Sequence, residues 1–496
     1  MIPLIHRQMR NFHIAIIGGG VIGSAIAWEL SKYNLNVVAF EKSSDVASCT
    51  SKANSGVIHS GINSPTGSLK ARFCIEGNRL FQNLSDKLGF QLKWVGKYIA
   101  AKNKEESKEL EKLLKVGVKN GVPGLEIIDG KDVKNKEPNI SCYKALWVPT
   151  AGIILPYSFT ISLAENAVKN NVKFMLETEV LDLQKKEDTF FIKTNKGDFQ
   201  SQILVNSAGL NCRDIVSMLE KPDFNVYPSR GEYLVLDKKY CNLINSMIYP
   251  VPPKKLGVLG IHITPTIEGN ILLGPSAEYI DDPLDKITTK KMMETLFDEA
   301  KELMPSLPNN SAINAYSGIR CKLVSKEKGG WADYRIEESK KTPGLINLIG
   351  IESPGLTAAP AIAKEITKIV SKSIKLKIKE NFKTIKFKNK RFSELSSKEQ
   401  SNLIKKDESY GRMVCRCENI TEYEVIKALS NPLGAQTLSS VKFRCRAGMG
   451  RCQGGFCTQR IVRIMAEKFK IDINKIKLKS KNSNLFYGRT REKEDD

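Results

Sequence analysis

The stretch Phe12-His-Ile-Ala-Ile-Ile-Gly-Gly-Gly-Val-Ile-Gly-Ser-Ala-Ile-Ala-Trp-Glu-Leu30 decides the fold of this chain. Its apolar run, Ile14–Ile17, has the length and composition of a buried parallel strand. This strand pattern ends at a glycine-rich turn and passes directly into a helical pattern. A second apolar run, Val37–Phe40, follows and ends at Glu41. We therefore expect a strand–helix–strand unit whose two strands lie side by side.

The turn after the first strand has the form Gly-x-Gly-x-x-Gly, which indicates a dinucleotide site when a strand precedes it and a helix follows. The glycines permit a tight turn, close approach of a pyrophosphate and close packing of the helix on the strand. The first amides of the helix can donate to phosphate oxygens, and the acidic residue after the second strand can accept from a ribose. This pattern assigns six residues to the dinucleotide: Gly18, Gly20, Val21, Ile22, Gly23 and Glu41.

Length and composition limit the class of protein. A chain of 496 residues is too long for one hydrophobic core, so we expect two or three domains. No apolar run reaches the roughly 18 residues of a membrane span, and we expect a cytoplasmic location, with peripheral attachment to the inner membrane surface as an open alternative. Five of the eleven cysteines lie between residues 415 and 457. In a cytosolic chain such a group predicts metal binding rather than disulfides.

The net charge of +23 raises the question of a polyanionic partner. Residues 364–406 hold fourteen Lys or Arg and four Glu, with the lysines interspersed among Ile, Leu, Phe and Asn. This pattern favours a solvated connector, and attraction to an anionic membrane surface is the second hypothesis. No nucleic-acid recognition motif accompanies the charge. We therefore do not expect nucleic acid as a partner, although a basic flavoprotein that binds tRNA remains an alternative function of another class.

Four separated segments resemble, in the right order, the FAD-dependent oxidoreductases of the D-amino-acid-oxidase type. They are the glycine turn, Thr50–Gly61, Asn206–Gly209 and Gly350–Thr357, and the resemblance covers about residues 12–375. It implies that FAD lies extended across the first domain. Besides the six residues above, it implies FAD contacts from Lys42, Thr50, Ser51, Ser55, Gly56, Val57, Val180, Gly209, Gly350, Ile351, Gly355, Leu356 and Thr357.

Two residues are the candidates for catalysis. His59 is one of four histidines and lies in the loop that the resemblance places against the flavin. A neutral imidazole suits a base that takes a hydroxyl proton while hydride leaves carbon, although His59 could also only hydrogen-bond the flavin or the backbone. The family places an anion-binding arginine at Arg320, and a guanidinium gives two-pronged hydrogen bonds to phosphate or carboxylate. Further candidates for substrate contact are His262, Arg230, Lys254, Lys255 and Ser353.

Two subgroups of the family compete for the substrate. The segments Ala53–Ile62 and Ser353–Ala361 look like those of glycerol-3-phosphate oxidases and dehydrogenases, whereas Leu259–Pro265 also resembles L-2-hydroxyglutarate oxidases. Both subgroups oxidise a secondary alcohol beside an anionic group. The resemblance therefore implies a small anionic substrate and oxidation of sn-glycerol 3-phosphate to dihydroxyacetone phosphate, with L-2-hydroxyglutarate or another 2-hydroxy or amino acid as the alternative.

The cysteine-rich segment carries the pairs Cys415-x-Cys417 and Cys452-x4-Cys457. Thiolates paired at short spacing suit Fe–S or zinc, and these spacings differ from the two C-x2-C knuckles that favour zinc. The stretches Val414–Thr421 and Arg446–Cys457 resemble the 2Fe–2S domain of bacterioferritin-associated ferredoxin, which implies that these four cysteines hold a 2Fe–2S cluster. Cys445 falls outside the spacing and is expected to be a spare thiol. A cluster implies an electron acceptor such as a quinone or a redox partner subunit.

Together these features predict an α/β FAD-binding Rossmann-like domain with an inserted antiparallel α+β substrate domain, followed by a small C-terminal helical Fe–S domain. A helix after Pro354 is expected to end near residue 378. The predicted boundaries are residues 12–90, 150–225 and 320–375 for the FAD-binding domain, 91–149 and 226–319 for the substrate domain, 376–408 for a Lys-rich linker, 409–475 for the Fe–S domain and 476–496 for a polar tail.

Overall fold

The computed structural model describes residues 10–253, 259–386 and 390–488. Lys254 and Lys255, both predicted as anion contacts, lie outside the described residues. The strands, in chain order, are β1 (Arg10–Ile17), β2 (Val37–Phe40), β3 (Val57–Ile58), β4 (Leu92–Lys93), β5 (Lys97–Ala101), β6 (Glu126–Asp129), β7 (Lys144–Val148), β8 (Gly152–Ile154), β9 (Lys173–Met175), β10 (Val180–Lys186), β11 (Thr189–Thr194), β12 (Gly197–Asn206), β13 (Tyr227–Leu236), β14 (Met247–Pro250), β15 (His262–Pro265), β16 (Ile271–Gly274), β17 (Glu278–Tyr279), β18 (Ala312–Lys322), β19 (Arg335–Glu338), β20 (Leu345–Ile349), β21 (Met413–Cys415) and β22 (Ile420–Thr421).

The helices, in chain order, are α1 (Val21–Leu30), α2 (Leu69–Leu88), α3 (Lys104–Lys119), α4 (Gly130–Lys136), α5 (Pro156–Lys169), α6 (Cys212–Ser217), α7 (Lys290–Leu303), α8 (Gly355–Val370), α9 (Ser397–Lys406), α10 (Glu422–Leu429), α11 (Leu438–Cys445) and α12 (Cys457–Phe469). Among the described residues, no helix combines the length and the apolar character that crossing a bilayer requires.

The first sheet is organised around β1. Its order is β10-β11-β12-β1-β2-β9, and β20 joins it beside β12 with β19 on its outer side. The pairs β12–β1, β1–β2, β2–β9 and β12–β20 are parallel, whereas β10, β11 and β19 pair antiparallel. The predicted pairing of the two apolar runs is confirmed, because Ile14 lies opposite Val37 and Ile17 opposite Phe40.

The turn after β1 requires glycine for steric reasons. Gly18 has a φ of +105°, and a Cβ there would lie 2.6 Å from the carbonyl oxygen of Ser207. A Cβ on Gly23 would lie 1.9 Å from the carbonyl oxygen of Gly18. Any larger residue at either position would push α1 away from the sheet.

The helices α1, α2, α5 and α8 cover one face of the first sheet and form a shared apolar core with it. Small residues on α8, among them Ala358, Ala359 and Ala363, allow this close packing. At Gly77 of α2 a Cβ would lie only 1.9 Å from the carbonyl oxygen of Thr357. This contact fixes α2 against the start of α8, which is the end that faces the site described below.

The second sheet has the order β17-β13-β16-β15-β14-β5-β7-β6, with β18 also beside β13. All its pairs are antiparallel except β5–β14. Helix α7 buries Leu296, Ala300 and Leu303 in one core of this sheet, and α3 buries Leu110 in another. The strands come from two separated stretches, residues 97–148 and 227–322, which the first sheet's segments interrupt.

The Lys-rich linker is mostly exposed in its described part, and several of its backbone groups hydrogen-bond to the first domain. The helix predicted to reach residue 378 ends at Val370, because the chain then turns and hydrogen-bonds along the first domain. The backbone N–H of Asn34 donates to the carbonyl of Lys377, and the side chain of Asn166 bonds both backbone groups of Ile385. Further on, α9 begins at a capping box formed by Ser396 and Glu399.

The C-terminal unit packs α10, α11 and α12 around its own apolar core. Two arginines at the end of α11 dock it on the rest of the chain. The buried guanidinium of Arg444 pairs with Asp45 and, at 3.0 Å, with Glu165. Arg446 pairs with Glu418 at 2.9 Å and with Glu268 at 3.5 Å. These contacts join the C-terminal unit to both sheets.

Candidate active site and candidate iron–sulfur site

A cavity of about 910 Å³ is lined by residues from both sheets. One end contains the glycine turn and Glu41, and the other contains His262 and Arg320. Its volume is at the upper end of the range for small-molecule and cofactor sites. Because the glycine turn forms one wall, we compare the lining residues with the groups that an extended dinucleotide presents.

At the nucleotide end, donors and acceptors are placed as the fingerprint requires. The carboxylate of Glu41 accepts from the backbone N–H of Gly19 and of Ser43, each at 2.8 Å, and every carboxylate oxygen keeps a second lone pair for a ribose hydroxyl. Helix α1 begins at Gly20 without a side-chain cap on that residue, and Ser51 Oγ accepts from Val21 N at 2.8 Å. The turn, the helix start and the carboxylate therefore fit the pyrophosphate and ribose of FAD.

The structure brings most of the predicted cofactor residues to this cavity. Those that line it are Gly18, Gly20, Val21, Ile22, Glu41, Lys42, Thr50, Ser51, Ser55, Val57, Val180, Gly209, Ile351, Gly355 and Leu356. They come from segments that are up to 338 residues apart in number, from Gly18 to Leu356. Helix α8 also starts here without a side-chain cap, and Gly355 and Leu356 of its first turn line the cavity.

Four predicted cofactor residues lie behind the lining instead. Gly23 packs on the turn, and a Cβ on Gly56 would lie 2.3 Å from the carbonyl oxygen of Ile154. A Cβ on Gly350 would lie 2.5 Å from Leu323. Thr357 is fully buried, and its Oγ1 accepts from the backbone N–H of His59 at 2.9 Å. These residues shape the wall, and Thr357 positions the loop that carries His59.

His59 lies in the cavity wall beside the start of α8. Its Nε2 is 3.4 Å from Ser353 Oγ, and its backbone carbonyl accepts from Asn78 at 3.0 Å. Burial, with a smaller contribution from the charge of Lys97, lowers the pKa of His59 to about 3. The imidazole is therefore neutral at physiological pH and can accept a proton.

His262 offers a second neutral imidazole to the same cavity. Its Nδ1 is 3.1 Å from the carbonyl oxygen of Gly260, and since a carbonyl only accepts, Nδ1 carries the hydrogen. Its Nε2 is therefore an acceptor, and it has no hydrogen-bond partner within the described ranges. The ring stacks on Tyr249 with centroids 3.9 Å apart, and burial lowers its pKa to about 3.

Arg320 reaches the cavity from β18. Its Nη2 donates to the carbonyl oxygen of Ser276 at 3.1 Å, whereas its buried Nη1 has no partner among the residues that the structure describes. The guanidinium lies over Gly231, where a Cβ would be 2.7 Å from Nη2. An unpartnered buried guanidinium nitrogen in a cavity is suited to an anionic ligand.

Arg230 does not reach the cavity, and its prediction as an anion contact is corrected. Its guanidinium pairs with Glu278 at 2.7 Å, with Asp285 at 2.6 Å and with Glu232 at 3.5 Å. Three carboxylates already neutralise this cation, so it holds β13 to its neighbours. Ser353, in contrast, lines the cavity.

Sequence reasoning missed several charged residues of the cavity. Lys97 is fully buried and lines it, and so do Lys70 and Lys322, which pair with Glu352 at 2.9 and 3.7 Å. The one available signal for Lys97 was a charged residue at the start of an otherwise apolar run, Lys97–Ala101.

The four predicted cysteines lie together in the C-terminal unit as two pairs. Cys417 Sγ and Cys452 Sγ are 3.6 Å apart. Cys415 and Cys457 form the second pair, and the interaction with Cys457 lowers the pKa of Cys415 to about 6. Cys445 is not part of either pair, because its thiol bonds the carbonyl of Val441 within α11.

The surroundings of these thiols fit a binuclear cluster. A 2Fe–2S cluster takes two thiolates on each iron, which matches two pairs. Backbone N–H groups of Phe456, Gly454 and Gly455 lower the pKa of Cys452. A Cβ on Gly450 would lie 2.3 Å from Cys417 Cβ, so the loop must be glycine to close around the thiols.

Two protein families match different parts of the chain. Residues 13–369 match the FAD dependent oxidoreductase (DAO) family, and residues 413–467 match the BFD-like [2Fe-2S] binding domain. A glycerol 3-phosphate dehydrogenase of Caloramator mitchellensis is 42% identical over 97% of this chain and 99% of its own. A mitochondrial L-2-hydroxyglutarate dehydrogenase of Arabidopsis thaliana is 34% identical over 71% of this chain and 82% of its own.

A solved structure shows the same architecture. The L-alpha-glycerophosphate oxidase of Mycoplasma pneumoniae, dithionite-reduced and with FAD bound, superposes with a TM-score of 0.71 at 31% identity. The superposition covers 75% of this chain and 98% of that chain. With a family match over most of its length, the chain belongs to the FAD-dependent oxidoreductase (DAO) family and carries a BFD-like 2Fe–2S domain at its C-terminal end.

Proposed function

We propose that the chain is a dehydrogenase that oxidises sn-glycerol 3-phosphate to dihydroxyacetone phosphate and passes the electrons through the C-terminal cluster to an acceptor. The observation that carries this proposal is the composition of one end of the cavity. Two neutral imidazoles, His59 and His262, lie there with a guanidinium nitrogen of Arg320 that has no partner within the described residues. A base beside an anion site is the arrangement that oxidation of a phosphorylated secondary alcohol requires.

Each of the two sheets has its own proposed role. The first sheet and its helices form the proposed FAD-binding domain, predicted as residues 12–90, 150–225 and 320–375. The second sheet, whose strands lie within residues 97–148 and 227–322, forms the proposed inserted antiparallel α+β substrate domain, so that residues 320–322 at the end of β18 belong to the second sheet. The contribution of His262 to the cavity supports this role of the second sheet. FAD, when bound, supplies an acceptor for the hydride that leaves the substrate carbon.

His59 is proposed to take the hydroxyl proton at Nε2. Thr357 and Asn78 hold its backbone, and Ser353 Oγ lies 3.4 Å from Nε2, so the hydroxyl can orient the ring or the substrate. Because His59 is neutral, it can act as a base across the physiological pH range. His262 Nε2, an acceptor without a partner in the described part of the chain, is proposed to bind the second hydroxyl of the substrate.

Arg320 is proposed to hold the phosphate. Its Nη1, which has no partner in residues 10–253, 259–386 and 390–488, gives a charge-assisted hydrogen bond, and its Nη2 is fixed by Ser276. Holding the anion in one orientation places the secondary alcohol at His59, and this positioning contributes to rate as well as affinity.

The C-terminal cysteines are proposed to hold a 2Fe–2S cluster, which carries single electrons when bound. The matched region of the Caloramator dehydrogenase spans nearly this entire chain, whereas the Mycoplasma oxidase leaves a quarter of it unmatched. This difference supports a dehydrogenase that uses a quinone or a redox partner subunit rather than an oxidase. Peripheral contact with an anionic membrane through the Lys-rich linker is the corresponding proposal for location.

L-2-Hydroxyglutarate is the second candidate substrate. It also presents a secondary alcohol beside an anionic group, and the Arabidopsis relative named for it matches 71% of this chain. Arg320 can bind carboxylate as well as phosphate.

A substrate panel tests the proposal. Anaerobic enzyme is mixed with glycerol 3-phosphate, L-2-hydroxyglutarate, L-proline or unphosphorylated glycerol, and flavin bleaching is followed by stopped flow. We expect fast reduction by glycerol 3-phosphate and little by glycerol. Faster reduction by L-2-hydroxyglutarate would transfer the assignment to the second candidate, and reduction by L-proline alone would overturn both.

A further inference from the structure

Lys97 is a buried cation to which the proposed reaction has not assigned a role. It opens β5, its side chain is fully buried, and its Nζ has no hydrogen-bond partner in the described part of the chain. Neither is any carboxylate within salt-bridge distance of it among these residues. Burying an ammonium without a partner is strongly unfavourable, so an unpartnered one is expected where a ligand completes it.

The position of Lys97 points to the substrate end of the cavity. Its Nζ lies 4.7 Å from the ring centroid of Tyr249, and the same ring stacks on His262. The charge of Lys97 contributes to the low pKa of His59 and of His262, and the charge of Arg320 also contributes to the low pKa of His262. Lys97 and Arg320 therefore act on the same group of side chains from two different strands, β5 and β18.

We propose that Lys97 is a second substrate-binding cation, which together with Arg320 restricts the site to small organic anions. The inference deepens the proposed function and rests on it for the identity of the alcohol, but not for the presence of the anion. The ammonium binds the phosphate or carboxylate of the substrate from the His59 side of the cavity.

This role also gives substrate binding an effect on His59. While Lys97 is unpaired, its positive charge disfavours the imidazolium form of His59. A bound anion offsets this repulsion, whereas burial, the larger cause of the low pKa of His59, is unchanged by it.

The affinity for anions should depend on pH through the titration of Lys97. Burial lowers the pKa of Lys97 to about 8. The groups that face Lys97 are Cys74 on α2, His59, His262 and Tyr249. Burial raises the pKa of the Cys74 thiol to about 12 and also raises the pKa of Tyr249. Burial lowers the pKa of each of the two histidines to about 3. These neighbours keep one protonation state between pH 6 and 10, whereas Lys97 loses its charge within this interval.

The experiment measures anion binding to the oxidised holoenzyme rather than turnover. Sulfate, a tetrahedral dianion that does not titrate in this range, and glutarate, a dicarboxylate, are titrated while the flavin absorbance is followed. For the wild-type protein, affinity should fall as the pH rises through about 8. In Lys97→Met we expect roughly 10- to 100-fold weaker binding at pH 7 and no step near pH 8. Preference for sulfate over glutarate distinguishes a phosphate site from a carboxylate site.

Thermal unfolding separates this role from a structural one. Removing an unpaired buried charge should leave the unfolding temperature of Lys97→Met unchanged or raise it, and Lys97→Arg should restore anion binding in part. The exposed Lys104→Met serves as the control and should match the wild type. Wild-type affinity in Lys97→Met, or a step near pH 8 that persists there, would overturn the proposal. Because no turnover is involved, failure of glycerol 3-phosphate as a substrate would leave this test intact.

Discussion

The cavity takes its lining from residues spread between Ile17 and Leu356, whereas the four paired cysteines lie between residues 415 and 457. The cavity is enclosed by two sheets and contains buried polar atoms without partners in the described ranges, including His262 Nε2, Arg320 Nη1 and Lys97 Nζ. The cysteine site lies near the surface, with Cys417 exposed, and its thiols are surrounded by backbone N–H groups of the same loop. The cavity is therefore assembled from most of the chain, whereas the cysteine site is assembled within one C-terminal segment.

This difference predicts how each site responds to change. A substitution at the cysteine site should remove one cofactor and leave the rest of the molecule unaffected, whereas a substitution in the cavity should alter rate or affinity by degrees. Arg444 and Arg446, which dock α11, connect the two regions. A substitution at either arginine should therefore affect both the cysteine site and the cavity.

The largest effect is expected at the cysteines. Cys452→Ser or Cys457→Ser should abolish the cluster absorption and its electron paramagnetic resonance signal while flavin content remains normal, because each iron needs two thiolates. Cys445→Ser is the matched control and should retain the cluster. One tightly bound zinc per chain with no iron in anaerobic preparations would contradict the assignment.

His59→Asn should lower the rate of flavin reduction by about 10²–10⁴-fold, because a general base is lost while FAD contacts remain. With a pKa of about 3, the wild-type base stays neutral, so the rate should not fall between pH 8 and 5. If the base had the pKa of an exposed histidine, about 6.5, the rate would fall as the pH drops through that value. Stopped-flow measurement of flavin reduction at several pH values tests both expectations. If His59→Asn reduced the flavin as fast as the wild type, His59 would lie near the reacting atoms without acting as the base.

Arg444→Ala should destabilise the protein by about 3–5 kcal/mol, because Asp45 and Glu165 would keep buried charges without their cation. Thermal unfolding followed by circular dichroism measures the change. Since Asp45 lies between Lys42 and Thr50, which both line the cavity, FAD retention should also fall. The exposed Arg463→Ala is the control, and equal unfolding temperatures for the two variants would show that the interface contributes little.

Arg320→Ala should raise KM for an anionic substrate by roughly 10- to 100-fold, because a charge-assisted hydrogen bond of about 1.5–3 kcal/mol is lost. Arg320→Lys should recover part of the affinity. Steady-state kinetics with a dye acceptor provide the measurement. Unchanged kinetics with glycerol 3-phosphate and L-2-hydroxyglutarate would place the anion elsewhere, with Lys97 the next candidate.

The smallest effect concerns the Lys-rich linker. If it contacts an anionic membrane, binding to vesicles that contain phosphatidylglycerol should weaken steeply as salt rises past about 0.1 M, where the Debye length is about 10 Å. Sedimentation with vesicles measures the bound fraction. Equal binding to neutral and anionic vesicles would remove the membrane proposal.

The sequence by itself determined the features that depend on neighbours along the chain. The strand–turn–helix unit follows from apolar runs and from glycines that no other residue can replace at Gly18 and Gly23. The spacing of the four cysteines identified them as one site, but the fold crosses the two sequence pairs and brings Cys417 beside Cys452 and Cys415 beside Cys457. Positions such as Ser51 and Val180 were identified because the family resemblance carries tertiary information that a single pattern lacks.

Only the tertiary structure decided which charged groups are paired and which are free. Arg230 and Arg320 both lie in strands and are equivalent in the sequence. Three carboxylates neutralise Arg230, whereas Arg320 Nη1 has no partner among the described residues. Lys97 reads as the edge of an ordinary strand until Tyr249, His59 and His262 are brought around it from distant segments. The physical reason is that partners and burial set the chemistry of a charge, and both are contributed by residues far away along the chain.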